Sequence, residues 1–213
     1  MKSIGDSILS AIIAFLVRVS FWPKVFFVDK EQQDLKLKEP SILVCNHRSH
    51  LDGPVLNTVF RKETIHSLAA KDRFEQKTFG FFLRHTNCIP IDRQKADTSW
   101  IYQSLQVLNV QKENIAIYPE GRHAEPRKLL PFHSGVSLLA VMAKAPIVMV
   151  YMDSPHRFGK RTKLLVAPPY RIDIPPTGIT ADFAEEQTKC LQKRMEDLRS
   201  IENKTELPKK SNE

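Results

Sequence analysis

Apolar positions occur in short blocks along the chain, and their spacing differs from one block to the next. Runs of four to eight apolar residues predict buried strands, and apolar residues three or four apart predict helices. The predicted strands are 42–45, 64–70, 88–91, 114–118 and 145–152, with helices between them at 55–60, 74–84, 98–110 and 134–144. Strands that alternate with helices form a mostly parallel sheet. The sequence therefore predicts an α/β fold with a mostly parallel sheet flanked by helices.

Two apolar segments near the C-terminus extend this pattern. Residues 163–166 and 170–174 are bounded by proline pairs, which predicts two edge strands. A last helix is predicted at 181–201, because a few apolar residues at helical spacing stand among charged ones. The polar residues 204–213 predict a disordered tail. The domain prediction is an N-terminal interfacial helix at 1–28, one domain at 29–203 and the tail at 204–213.

The most apolar stretch of the chain lies at its N-terminus, from Ile4 to Trp22. Its uncharged core between Asp6 and Arg18 has eleven residues, whereas a helix that spans a bilayer needs about 20. Aromatic and basic residues continue the segment, a mixture suited to a membrane interface: Phe21, Trp22, Lys24, Phe26 and Phe27. We therefore predict a helix that lies in one face of a membrane. The alternative is a helix that packs on the protein's own core.

Composition narrows the classes of partner. The chain has 213 residues, of which 42% are hydrophobic and 26% charged, as in a globular protein. Lys and Arg number 32 against 24 Asp and Glu, so the net charge is +8. This excess predicts an anionic partner, which is a nucleic acid, an acidic membrane surface or a phosphorylated substrate. Three scattered cysteines show no metal or disulfide spacing, which favours a reducing cytosolic setting.

Residues 46–52, Asn-His-Arg-Ser-His-Leu-Asp, stand between the first predicted strand and its helix. Ligands of open α/β sheets bind beyond the carboxyl ends of the strands, where His47 lies. The helix dipole keeps Asp52 ionised, so Asp52 can accept one ring N–H of His47. The other ring nitrogen can then take a proton from a hydroxyl. The structural alternatives are a capping box of Ser49 and Asp52 and an ordinary loop histidine.

Charged residues also follow three other predicted strands. They are Lys71, Arg93, Glu120 and Arg122. Because the carboxyl ends of parallel strands share one edge of a sheet, we expect these residues to converge on His47. One base with several fixed cations suits a hydroxyl nucleophile on a phosphorylated substrate. The alternative for each cation is a solvated surface charge.

Four sequence blocks occur in a fixed order between about residues 41 and 152. They are N-H-x-x-x-x-D at 46–52, I-x-I-D-R at 89–93, an altered F-P-E-G-T-R-S at 118–124, and a proline-bearing apolar strand at 145–150. Together they resemble the glycerolipid acyltransferases, which include 1-acylglycerol-3-phosphate acyltransferase. Four ordered blocks are a specific signal, whereas one short motif is not.

The resemblance implies an activity and a set of partners. The reaction is acyl transfer from acyl-CoA or acyl-carrier protein to the free hydroxyl of a lysophospholipid, above all 1-acylglycerol-3-phosphate, in phospholipid synthesis. No cofactor, metal or nucleic acid is implied, because the thioester is a co-substrate. The expected setting is a membrane surface that the protein contacts as a peripheral or monotopic enzyme facing the cytoplasm.

The resemblance also implies roles for individual residues. His47 is the general base and Asp52 orients it. The expected acceptor-binding residues are Lys71, Arg93, Glu120, Gly121 and Arg122. We expect no covalent acyl-enzyme, because the chain contains no G-x-S-x-G elbow that would supply a serine nucleophile.

The chain departs from the family pattern at two positions of the third block and at one position downstream of it. Arg122 stands where threonine is usual, His123 where arginine is usual, and His133 where lysine is common. Two outcomes follow for the acceptor head group. Either Arg122 still reaches the acceptor phosphate beside Arg93 and Lys71, or Arg122 points to solvent and His123 lines a site for a different head group.

Two other classes of protein compete with the acyltransferase interpretation. The first is a metal-dependent phosphohydrolase with His47, His50, Asp52 and Glu120 as ligands. The spacing fits no zinc pattern, and cations at the neighbouring strand ends would repel a metal. The second is a non-catalytic module that binds anionic lipid, which the basic charge and the apolar N-terminus would equally support.

Overall fold

A seven-stranded sheet forms the centre of the fold. The computed structural model describes residues 4–29, 35–92, 97–123, 128–153, 156–176 and 178–204. The strands are β1 (Lys24–Phe27), β2 (Ile42–Cys45), β3 (Ile65–Ala70), β4 (Cys88–Ile91), β5 (Asn114–Ile117), β6 (Ile147–Met152) and β7 (Lys163–Val166). Their spatial order is β1-β7-β6-β2-β5-β3-β4. Neighbouring strands are parallel except at the antiparallel pair β6 and β7.

Helices cover both faces of the sheet. They are α1 (Ile4–Phe21), α2 (Asp52–Val59), α3 (Lys71–Phe74), α4 (Lys77–His85), α5 (Ser99–Leu105), α6 (Gly135–Ala143) and α7 (Ala181–Lys204), and a π-helical turn at Gln106–Gln111 extends α5. The central strand β2 is buried on both faces. Ile42 and Val44 pack in the core beneath α5, α6 and α7, and Leu43 and Cys45 pack in the core beneath α1 and α2. Burial on both faces explains its unbroken apolar run.

The structure confirms the predicted fold class and the five predicted strands that alternate with helices from β2 to β6. The first difference concerns residues 24–27, which we had assigned to the interfacial segment 1–28. They form β1, which pairs with β7 along the edge of the sheet. Val25 and Phe27 pack toward α1, whereas Phe26 packs toward the opposite core. Aromatic and basic residues suit an edge strand as well as a membrane interface, so composition alone did not separate the two.

The second difference is at the predicted C-terminal edge strands. β7 is an interior strand, because β1 covers its outer side. Tyr170 makes an isolated bridge to Ile147 instead of starting another strand. Proline pairs precede and follow this segment and remove the N–H groups that a ladder needs. The last helix ends at Lys204, and the rest of the predicted tail, 205–213, lies outside the described residues.

The third difference is a break in the predicted helix 74–84. It forms α3 and α4, and Arg84 closes the corner by donating a hydrogen bond to the carbonyl oxygen of Phe74 at 2.6 Å. Gly80 lies against that same carbonyl, and a methyl group there would overlap it. The corner therefore depends on a residue without a side chain.

Replacing Gly80 by alanine is expected to destabilise the protein by about 1–3 kcal/mol, which is typical of overpacking. The change would appear as a lower midpoint in urea unfolding. Gly53→Ala is the matched control, because a methyl at Gly53 meets Ser67 Oγ at an ordinary 3.5 Å. In both helices alanine is favoured over glycine by up to about 1 kcal/mol, so helix propensity does not explain a loss of stability at Gly80. Equal stability of the two variants would contradict this account of the corner.

Candidate active site

Asn46 determines where the chain leaves the sheet at the end of β2. Its side chain pairs with the backbone of Met152 on the neighbouring strand β6. Nδ2 donates to the Met152 carbonyl at 2.9 Å, and Oδ1 accepts the Met152 N–H at 2.7 Å. The side-chain amide therefore continues the ladder by one step in place of the backbone. This pairing holds the next residue, His47, at the carboxyl edge of the sheet.

His47 and Asp52 lie in direct contact, as their spacing predicted. His47 Nδ1 is 2.8 Å from Asp52 Oδ2, and the carboxylate is fully buried. The same oxygen accepts the backbone N–H of Arg48 at 2.7 Å and of Ser49 at 3.0 Å. The same carboxylate therefore also makes the capping contact with Ser49 that the structural alternative predicted. Because His47 Nδ1–H faces the carboxylate, Nε2 is the nitrogen left to take a proton.

Asp52 is ionised at neutral pH although it is buried. Burial raises the pKa of this carboxyl, but hydrogen bonds from His156, His47 and the Ser49 backbone outweigh it and hold the pKa at about 2. A carboxylate in this state stabilises the imidazolium that forms when His47 takes a proton.

His156 is a member of the site that sequence reasoning missed. Its Nε2 lies 2.8 Å from Asp52 Oδ1, so Asp52 is held between two imidazoles. Its Nδ1 lies 3.0 Å from the Thr162 hydroxyl, and its side chain is fully buried. His156 follows the end of β6, the strand beside β2. The sequence analysis selected residues that follow four other strands, and the same criterion applied to β6 would have selected His156.

Glu120 contacts the backbone of His47 from the end of β5. The residue is buried, and its two carboxylate oxygens accept the N–H groups of His47 at 2.9 Å and Leu130 at 2.8 Å. Burial raises its pKa, and these two N–H groups oppose the shift. The resemblance implies that Glu120 and Gly121 shape the acceptor site. Gly121 lines the cavity, and Glu120 holds the backbone of His47 beside it.

A cavity of about 1480 Å³ opens beside His47. It lies between α1, α2 and α4 over the β3–β4 part of the sheet. Small residues on that floor, Ser67 and Ala69, leave the space that larger side chains would fill. Its walls are mainly apolar and include Ala11, Ala14, Val17, Ile65, Leu68 and Leu83. A volume above the usual range of about 300–1,000 Å³ suits a long apolar substrate or two substrates together.

Comparison with known proteins identifies the family. The sequence profile of a family described as Acyltransferase matches residues 26–153, which is more than half of the chain. The chain belongs to the acyltransferase family. Its fold matches the crystal structure of the 1-acyl-sn-glycerophosphate (LPA) acyltransferase from Thermotoga maritima with a TM-score of 0.63 and 17% identity, over 92% of this chain and 81% of that one.

Three curated relatives of this acyltransferase are named as 1-acyl-sn-glycerol-3-phosphate acyltransferases. The chain is 26% identical over 173 residues to 1-acyl-sn-glycerol-3-phosphate acyltransferase of Bacillus subtilis, covering 78% of the chain and 85% of the relative. It is 27% identical over 179 residues to the human beta enzyme of that name, covering 80% and 64%. It is 32% identical over 171 residues to a Caenorhabditis elegans enzyme with the same putative name, covering 76% and 63%. The chain thus spans less than two thirds of the last two relatives.

Several cationic residues of this acyltransferase line the cavity. Lys71 lines it, is 60% exposed and lies 3.9 Å from Asp92. Arg73 and Arg122 line it as well. Arg93, which we predicted at the acceptor phosphate, lies outside the described residues. Lys71 and Arg122 therefore line the same cavity as His47.

Three histidine rings meet beside these cations. The His123 ring centre is 4.2 Å from that of His47 and 4.3 Å from that of His50, and Tyr118 stacks on His47 at 4.6 Å. Burial and the two nearby imidazoles lower the pKa of His123 to about 4. His123 is therefore neutral at pH 7. Arg122 and His123 both line the cavity, so this geometry alone does not choose between the two sequence alternatives for the block.

The geometry does not favour the metal-ligand set of the phosphohydrolase alternative. Both oxygens of Asp52 and both oxygens of Glu120 already accept hydrogen bonds from protein groups. Within the part of the chain that the structure describes, no group of three or more His, Cys, Asp or Glu side chains is placed to hold a metal ion.

Proposed function

We propose that this acyltransferase moves a fatty acyl group from acyl-CoA or acyl-carrier protein to the free hydroxyl of 1-acylglycerol-3-phosphate. The observation that carries this proposal is the His47–Asp52 pair at the wall of a large, mainly apolar cavity that cations also line. The names of the curated relatives support the same acceptor. Such a reaction supplies phosphatidic acid for phospholipid synthesis.

Proton movement through His47 accounts for the chemistry. Nε2 takes the proton of the acceptor hydroxyl while the hydroxyl oxygen attacks the thioester carbonyl carbon. The oxyanion that forms then collapses, the carbon–sulfur bond breaks, and imidazolium returns its proton to the departing thiolate. The products are an ester and a free thiol. Asp52 stabilises the imidazolium between the two proton transfers, and no acyl-enzyme is needed.

The acceptor phosphate is assigned to the cations that line the cavity. A phosphate monoester carries close to two negative charges and binds best to fixed cations. Arg122 and Lys71 line the cavity, whereas His123 is neutral at pH 7 and supplies no charge. We therefore place the phosphate near Arg122 and assign His123 a packing role against His47.

Arg122→Ala is expected to lower turnover of 1-acylglycerol-3-phosphate about 10- to 150-fold, because one charge-assisted contact contributes roughly 1.5–3 kcal/mol. His123→Ala should cost less. Turnover is measured for both variants with 1-acylglycerol-3-phosphate and with lysophosphatidylcholine, using each acyl donor. Wild-type preference for lysophosphatidylcholine would overturn the proposed acceptor, and an undiminished Arg122→Ala enzyme would overturn the assigned phosphate site.

The N-terminal helix α1 supports a membrane location for the reaction. By length and composition alone α1 could cross a membrane, and 11% of its residues are buried. Its exposed apolar residues recur at helical spacing: Ile4, Ile8, Ile12, Phe15, Leu16 and Val19. Val17 and Phe21 are buried in the core, and Asp6 pairs with His85 of α4 at 2.8 Å. We therefore propose that α1 lies in the cytoplasmic membrane interface with its core-facing side fixed to the domain.

Replacing Ile8, Ile12 and Phe15 together by serine is expected to weaken binding to anionic vesicles by roughly 100-fold or more. Moving one apolar side chain from water into the interface contributes about 1.5–3 kcal/mol to binding, and serine loses this contribution. Vesicle sedimentation measures the affinity. The matched control replaces Tyr102, Val110 and Ile174, which are exposed elsewhere. A large drop in melting temperature of the α1 variant with unchanged vesicle binding would show that this face belongs to a protein core.

A further inference from the structure

Beyond α1, an exposed loop carries an aromatic residue among cations. The loop comprises residues 157–161, Arg-Phe-Gly-Lys-Arg. Phe158 is 84% exposed, the highest value for a large apolar side chain among the described residues. The three cations are also exposed: Arg157, Lys160 and Arg161. A large apolar side chain in water is unfavourable, and its basic neighbours indicate an anionic partner.

The loop is an ordered turn that is attached to α1. Lys160 N–H donates to the Arg157 carbonyl at 3.0 Å, which places Phe158 at the tip of the turn. Gly159 has a φ of +72°, the left-handed conformation that glycine adopts without strain. The Gly159 N–H donates to the Ser20 carbonyl at 2.9 Å, in the last turn of α1. The fold therefore holds an apolar tip and three cations next to the end of the apolar helix.

We propose that the 157–161 loop is a second membrane contact, in which Phe158 enters the interface and the cations bind anionic lipid head groups. This inference rests on the proposed membrane placement of α1. Aromatic side chains are favoured at the interface, and each cation near an anionic surface contributes about 1 kcal/mol. The neighbouring Trp22 is exposed and extends the aromatic surface.

The test measures binding to vesicles of phosphatidylcholine alone and of phosphatidylcholine mixed with phosphatidylglycerol. Phe158→Ser should weaken binding to both vesicle types roughly 10-fold. Glutamine at Arg157, Lys160 and Arg161 should weaken binding to the anionic vesicles alone, by roughly 100-fold. Turnover of a short-chain, water-soluble acceptor should be unchanged in both variants, because these residues do not line the cavity.

Matched controls separate this surface from net charge and general hydrophobicity. Tyr102→Ser removes an aromatic side chain that is 66% exposed on α5. Glutamine at Lys38, Lys112 and Lys193 removes three exposed charges elsewhere. Loss of binding in the controls as large as in the loop variants would overturn the proposal. Wild-type binding by the loop variants, with the α1 variant impaired, would overturn the loop contact and leave the membrane role of α1 intact.

A different observation, the contact of His156 with Asp52, carries a second inference. In the described part of the chain, Asp52 Oδ2 receives hydrogen bonds from His47 and two backbone N–H groups, while Oδ1 receives one from His156. The His156 ring is itself fixed by the Thr162 hydroxyl at 3.0 Å and by the Phe21 ring at 5.7 Å. Its Nδ1 accepts from the hydroxyl, which leaves Nε2–H to donate.

We infer that His156 is a positioning residue, which prevents rotation of the Asp52 carboxylate and so keeps His47 aligned. This inference rests on His47 acting as the base, and it holds for any acceptor hydroxyl. His156→Leu should lower kcat roughly 10- to 100-fold, while KM for the acceptor changes less than about twofold, because His156 is buried and touches Asp52 rather than substrate.

His156→Gln is the conservative variant, since its amide N–H can occupy the place of Nε2–H and should restore most of kcat. His156→Asn has a shorter amide that reaches the place of Nδ1 and should not restore it. This pair keeps the test decisive if the leucine variant fails to fold. Equal kcat in the Gln and Asn variants, or a raised KM with kcat unchanged, would overturn the inference. If His47→Ala loses activity but His156→Asn retains more of kcat than His156→Gln, His47 remains the assigned base and only the role of His156 is refuted.

Discussion

His47→Ala is expected to lower kcat by roughly 10²–10⁴-fold, the range for loss of a positioned general base. The ring lines the cavity and gives its Nδ1–H to Asp52, so alanine removes the proton acceptor from the reaction. The backbone of His47 is held separately by Glu120 at 2.9 Å, and this contact survives the substitution. Melting temperature should therefore change little. Turnover is measured with acyl-CoA and 1-acylglycerol-3-phosphate at saturating concentrations.

His50→Ala is the matched control for this experiment. His50 also lines the cavity, three residues along the same loop, but its ring packs against Phe79 and His123. We expect a loss of less than about tenfold. Near wild-type turnover by His47→Ala would refute the proposed mechanism. Inactivation of the wild type by EDTA, with recovery on addition of zinc, would support the phosphohydrolase alternative.

Asp52→Asn is expected to lower kcat by roughly 10³–10⁴-fold, because an amide can hold His47 in the wrong tautomer, as in the serine protease triad. It should also destabilise the protein by about 1–3 kcal/mol. Four N–H groups converge on the carboxylate, and the amide nitrogen of asparagine cannot accept from them. Turnover and urea unfolding at pH 7 measure the two effects. The exposed Asp173→Asn serves as the control.

The stability effect of Asp52 has a predicted pH dependence. Hydrogen bonds hold its pKa at about 2 in the folded protein, below the ordinary value of 3.8. The carboxylate therefore stabilises the wild type above about pH 4, and this contribution is lost as the pH falls toward 2. The difference in unfolding free energy between wild type and Asp52→Asn should shrink between pH 7 and pH 3. A constant difference over that range would contradict the assigned ionisation of Asp52.

Local sequence determined the parts of the site that lie close together along the chain. His47 and Asp52 are five residues apart, across a strand end and the first turn of a helix, so their contact follows from local geometry. The unbroken apolar runs of β2 and β6 predicted strands buried on both faces, because no exposed face interrupts them. The corner at Gly80 was not predicted, because its close approach to Phe74 appears only when the helices are packed.

Pairings between distant segments were decided by the tertiary structure. His156 reaches Asp52 from 104 residues away, and Glu120 reaches the His47 N–H from 73 residues away. Both contacts depend on the spatial order β6-β2-β5, and no local period encodes the order of strands in a sheet. Residues 24–27 form β1 for the same reason, because their partner β7 lies far along the chain. The sequence by itself thus determined the fold class and the contact between His47 and Asp52. Packing of the sheet decided which further residues hold that pair in place.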